Sequence, residues 1–232
     1  MRNILTVLLF FITFQITHSQ ETLLNKYQQQ ELDSVIKVCV KKIDVETTLD
    51  NVKYVSQLME RVIRKYDVWS SYYYLLYFKV LIVRKSENSE EAQKAYDYFK
   101  LTFDKALEKS VNDRQKSELY TLKGFLYLTI LSSNPVKYGR EYAKLTTDLF
   151  EKATTIYPKN PRPIYLNALF QDGMAKFFKS AYNYCNDLLL ANKYFIAELN
   201  VYDRECFLLP TWGAEHTAET IYNNCSCKYK DN

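Results

Sequence analysis

Glycine is scarce: four residues in a chain of 232. Phosphate-cradling loops and the tight turns of most β-folds use glycine for close backbone approach and positive φ. Its scarcity argues against a nucleotide-binding loop and against an all-β architecture. Histidine is scarcer still. One of the two, His18, lies in an N-terminal apolar segment, which leaves His216 alone in the rest of the chain. Neither flank of His216 resembles a nucleophile elbow or a papain-type cysteine motif, and no carboxylate pair stands out among 27 acids. An enzyme is not expected, no catalytic residue is assigned, and no cofactor is implied. Charge of one sign is also missing. A formal net charge of +4, spread along the chain, is too weak and diffuse to argue for nucleic acid. Beyond the N-terminus no apolar run approaches the roughly 20 residues that span a bilayer.

The N-terminus itself reads as a secretory signal over residues 1–19. Arg2 supplies the basic region, residues 4–16 are apolar apart from Thr6, Thr13 and Gln15, and Thr17 and Ser19 precede Gln20 at −3 and −1. Loss of Arg2 lowers the net charge by one. No cysteine closely follows the apolar run, the first being Cys39, so a lipoprotein anchor is not expected. Residues 20–232 then form a single exported domain, periplasmic or secreted.

Helical apolar spacing dominates that domain. Ala92, Ala95, Phe99, Phe103 and Ala106 step by three or four, as do Leu119, Leu122, Leu126 and Ile130, and Tyr142, Leu145, Leu149, Ala153 and Ile156. No stretch alternates in the manner of a strand. The segments also repeat with a period near 46: Phe103, Phe150 and Phe195 are spaced this way, as are Tyr74, Tyr120 and Tyr165. Such a period is the signature of a helical-hairpin solenoid. The expectation is an all-α array of about four hairpins, near 22–65, 68–109, 112–157 and 161–199, capped by a C-terminal helix near 212–225. Asn134-Pro135 and Asn160-Pro161 supply N-cap and N1 residues, and Pro158 ends a helix.

The C-terminal stretch gathers rare ligand types: Cys206, His216, Cys225 and Cys227. On a helix over 214–225, however, His216 and Cys225 are about 13 Å apart along the axis, too far to share one ion. No metal site is expected there. In an oxidising compartment Cys206 is expected to bridge Cys225, with Cys227 as the alternative. Cys39 and Cys185, each on an apolar helix face, are expected to be buried free thiols. Ala214, Ala218, Ile221 and Cys225 would face the body of the protein, with Trp212 and Gly213 leading into the helix.

The third hairpin resembles a tetratricopeptide repeat. Tyr120, Gly124 and Tyr127 stand at its aromatic, glycine and tyrosine positions, and Thr146, Phe150, Ala153 and Pro158 reproduce the spacing of its second helix. Lys123 departs from the pattern, and the half-motifs lie about ten residues further apart than in a 34-residue repeat. Over roughly residues 90–225 the chain is similar to exported tetratricopeptide-like proteins of the Bacteroidetes, through the Asn160-Pro161-Arg162 turn and through Pro210, Trp212 and Gly213. The resemblance implies export, Gly124 and Ala153 as sites of close helix approach, and a concave groove lined by the first helix of each hairpin. The 21 tyrosines then acquire a candidate role. Tyr73, Tyr77, Tyr120, Tyr127 and Tyr165 are expected to line that groove. The expected partner is a protein or peptide. The alternatives are a glycan stacked on the same rings, or thiol or copper handling by the C-terminal cysteines.

Overall fold

The computed structural model describes residues 24–86, 89–201 and 207–225. Within them the backbone forms helices and no strands: α1 (Lys26–Val45), α2 (Leu49–Lys65), α3 (Trp69–Lys85), α4 (Ser89–Glu108), α5 (Asp113–Ser133), α6 (Pro135–Ile156), α7 (Pro161–Phe177), α8 (Cys185–Val201) and α9 (Ala214–Cys225). The chain is all-α, as its apolar spacing dictates. The expected signal segment, Cys206 and Cys227 lie outside the described residues. None of the described helices is long and apolar enough to cross a membrane.

Local chemistry sets the helix starts. Asn25, Thr48, Asn112, Asn134 and Asn160 each accept a backbone N–H from the first turn that follows. That satisfies donors which a helix start leaves open. Pro135 and Pro161 come directly after two of these caps, where a missing N–H costs no hydrogen bond. Pro158 stands just past the end of α6.

Helix α3 packs against α1, α2, α4 and α5. It is buried around its whole circumference from Trp69 to Ile82, with Tyr77 alone partly open. A helix apolar on every side is stable in water only as a core element, so most of its aromatic rings serve packing. In α6 the buried residues are Thr146, Phe150 and Ala153. Ala153 is as expected from apolar spacing, while Thr146 and Phe150 stand in the core in place of Leu145 and Leu149, and Leu145 is exposed. The reason is Gly124 on α5. A Cβ there would stand 2.6 Å from Phe150 Cε1, so the missing side chain makes the slot that draws Phe150 inward.

The C-terminal helix corrects the disulfide expectation. Cys225 bridges Cys185, with Cα atoms 5.7 Å apart, and not Cys206; Cys185 is therefore no free thiol. Helix α9 packs on α8, and the end of one lies beside the start of the other, a proximity that no sequence spacing announces. The buried side of α9 carries Thr217 and Cys225 with Ala214 and Ile221 partly buried, while Ala218 is exposed. Cys39 is free and buried as expected, and burial pushes its thiol up to about 12.

Candidate functional site

The site is organised by a buried cation. Asn160 caps α7 by accepting the Arg162 N–H, and its side-chain amide donates to Ser117 Oγ at 2.9 Å. Ser117 in turn donates to the Ala153 carbonyl at 2.8 Å. This places Arg162, 1% exposed, in the first turn of α7 with its guanidinium among helices. Its Nη1 donates to Glu118 Oε1 and Glu198 Oε2, each at 3.0 Å. Its Nη2 donates to the Pro210 carbonyl at 2.7 Å. Arg114 donates to the other oxygen of Glu198 at 2.9 Å. Two cations thus face two carboxylates, which is the condition under which buried charge is tolerated.

The network continues upward to the C-terminal segment. Trp212 Nε1 donates to the Tyr73 hydroxyl at 2.8 Å, and Tyr73 donates to Glu118 Oε2 at 3.2 Å. Tyr74 donates to the Leu209 carbonyl at 2.6 Å. Asp33 on α1 accepts the backbone N–H groups of Phe207 and Leu208. Burial raises the Tyr73 phenol well above its ordinary value and raises the Glu118 carboxyl, the latter opposed by the Arg162 guanidinium. Gly213, at φ +103°, leaves no room for a Cβ, which would stand 2.8 Å from Phe195 Cζ. Segment 207–213 is therefore fixed to the helix bundle by side chains of α1, α3 and α7 together.

What this staple positions is an aromatic cleft of about 580 Å³ between α3, α5, α7 and the start of α9. Trp212 stacks on Tyr77 at a centroid distance of 5.4 Å and on Phe125 at 5.8 Å. Tyr165 and His216 meet edge to face at 6.1 Å on another wall. Burial pushes the Tyr165 phenol up to about 12. Arg84, exposed at the rim, lies 5.9 Å from the Phe125 ring and has no carboxylate partner among the described residues. An adjoining cleft of about 600 Å³ is bounded by α5, α6 and α7 and shares Leu128, Ser132 and Leu169 with the first. No group of three or more His, Cys, Asp or Glu side chains is placed to hold a metal among the described residues.

Of the five tyrosines expected in a groove, Tyr77 and Tyr165 line the aromatic cleft. Tyr73 is fully buried beneath it. Tyr120 packs on Phe103 at 5.9 Å with Lys152 over its ring, and Tyr127 packs on Tyr142 at 5.2 Å. Sequence reasoning missed Arg84, Phe125 and the entire Arg162 network. The Asn160-Pro161-Arg162 turn was a visible signal for the network, but as a turn it gave no hint that Arg162 points inward.

No protein-family model and no curated protein sequence matches the chain. The fold is similar to the solved structure of the HusA haemophore from Porphyromonas gingivalis. The TM-score is 0.70 with 16% identity, over 90% of this chain and 98% of that one. At this identity the likeness establishes a common helical fold and leaves function to the site.

Proposed function

We propose that the protein is an exported, non-enzymatic carrier with a tetratricopeptide-like arrangement of helical hairpins, and that its aromatic cleft holds a flat amphipathic ring of the porphyrin class, such as haem. The observation that carries this reading is the cleft itself: Tyr77, Phe125 and Trp212 on one wall, Tyr165 and His216 on another, and at the rim Arg84, without a carboxylate partner among the described residues. Its volume falls within the 300–1,000 Å³ typical of small-molecule sites. Aromatic rings supply dispersion contact to a planar ligand, and a guanidinium suits the carboxylates such a ring carries at its edge. Tyr and His are both haem-ligand types. The helical likeness to a haemophore supports the same ligand class, and the Cys185–Cys225 bridge supports export to an oxidising compartment.

A peptide or glycan partner has less behind it. Three of the five tyrosines expected to read such a ligand are engaged with other helices. The deciding measurement is titration of the purified mature protein with haemin, followed by Soret absorbance and by quenching of tryptophan fluorescence. Saturable one-to-one binding is expected, and Arg84→Glu should weaken it by on the order of tenfold, the loss of one charge-assisted contact. Absence of a Soret change, or retention of full affinity in Arg84→Glu together with Phe125→Ala, would overturn the assignment.

A further inference from the structure

Two of the four glycines are not demanded by close packing. Gly124 and Gly213 are demanded by Phe150 and Phe195, but a Cβ added at Gly139 or Gly173 would meet nothing within 4 Å. Both lie inside helices, α6 and α7, where glycine costs roughly 1 kcal/mol relative to alanine. Neither has a positive φ. Both line the same cavity, the cleft of about 600 Å³ bounded by α5, α6 and α7. Apart from Ser132 and Arg140 its other walls are apolar: aliphatic side chains, Met174, and the rings of Phe170, Phe177 and Phe178. Phe177 and Phe178 are 55% and 67% exposed beside it and Val136 is 86% exposed, a concentration of open apolar surface that a soluble protein rarely leaves without a use. A single charge lines it: Arg140, exposed and without an ion pair among the described residues.

We infer that this second cleft is a binding site for a long-chain aliphatic carboxylate, its chain laid in the notch left by Gly139 and Gly173 and its head group paired with Arg140. The lining selects the chain. It offers leucines, a methionine and phenylalanines, none with a polar tip, that conform to a flexible alkyl ligand, whereas the tyrosines, the tryptophan and the histidine line the neighbouring cleft. Each buried methylene contributes about 0.8 kcal/mol, so the alkyl length supplies the affinity. The Arg140 guanidinium, without an ion pair among the described residues, supplies the preference for an anionic head. The inference does not depend on the porphyrin reading, since the two clefts share only the wall of Leu128, Ser132 and Leu169.

Calorimetric titration with palmitate, compared with hexadecanol and with haemin, tests it. Palmitate should bind with one-to-one stoichiometry, and hexadecanol at least tenfold more weakly. The double variant Gly139→Leu, Gly173→Leu fills the notch. It should fold with an unchanged or higher thermal midpoint, because open space receives both side chains and helix propensity rises. Its palmitate affinity should fall at least tenfold while haemin affinity is unchanged, and Arg140→Gln should reproduce the loss for palmitate alone. Equal palmitate affinity in the double variant overturns the proposal, as does absence of palmitate binding in the native protein. Loss of haemin in place of palmitate would move the ring ligand into this cleft and overturn both assignments. Haemin binding lost only through Arg84→Glu, with palmitate unbound, would leave the porphyrin reading standing and remove this one.

Discussion

Arg162 illustrates how one side chain in this protein connects elements distant in sequence. Its guanidinium meets Glu118 of α5, Glu198 of α8 and the carbonyl of Pro210 while lying 5.4 and 5.5 Å from the rings of Phe195 and Trp212. The pairing is worth little against an apolar core of the same shape, but removing one partner leaves a buried charge uncompensated. Arg162→Met should therefore lower unfolding stability by about 3–5 kcal/mol, read as a reduced urea midpoint at constant m-value. Arg162→Lys should recover only part of this, because one ammonium cannot reproduce the planar fork that serves Glu118, Glu198 and Pro210 together. Recovery of full stability by lysine would show that charge alone, without the fork, holds the site. Glycine shows the same dependence on partners. Gly124 and Gly213 exist for the rings that press on them, whereas Gly139 and Gly173 face open space.

At the scale of elements, α9 is the least self-sufficient helix. It has 12 residues, a length at which an isolated helix is marginal in water. Among the described residues it buries only Thr217 and Cys225 fully. Its anchor is the bridge to Cys185, across a sequence separation of 40. Closing a loop of that length lowers unfolded-state entropy by an amount equivalent to about 4 kcal/mol in the chain-entropy argument. Reduction, or Cys185→Ser with Cys225→Ser, should lower stability by roughly 2–4 kcal/mol. Amide exchange in α9 should then accelerate far more than in α3, which is enclosed by four neighbours. Uniform acceleration across both helices would show instead that the bridge acts only through global stability.

At the scale of the whole molecule, the two clefts differ in what builds them. Trp212, Gly213 and His216 bring the C-terminal segment into the lining of the aromatic cleft. The second cleft is made by α5, α6, α7 and the residue just past α7. Reduction of the Cys185–Cys225 bridge should accordingly weaken haemin binding several-fold and leave palmitate binding unchanged, both measured on reduced protein below its unfolding midpoint. Equal loss of the two ligands would mean that the clefts share more than their common wall.

Much of this architecture was legible in the residues themselves. Apolar steps of three and four, few glycines, and asparagine–proline caps settle an all-α chain and most helix boundaries, because these depend on interactions within a few residues of one another. Tertiary structure alone decided the partner of Cys225, the inward direction of Arg162, and which tyrosines pack and which line a cleft. Each of these is a contact between residues of different elements, roughly 15 to 140 positions apart in the sequence. Such contacts are set by how helices stack, and local spacing carries no record of that.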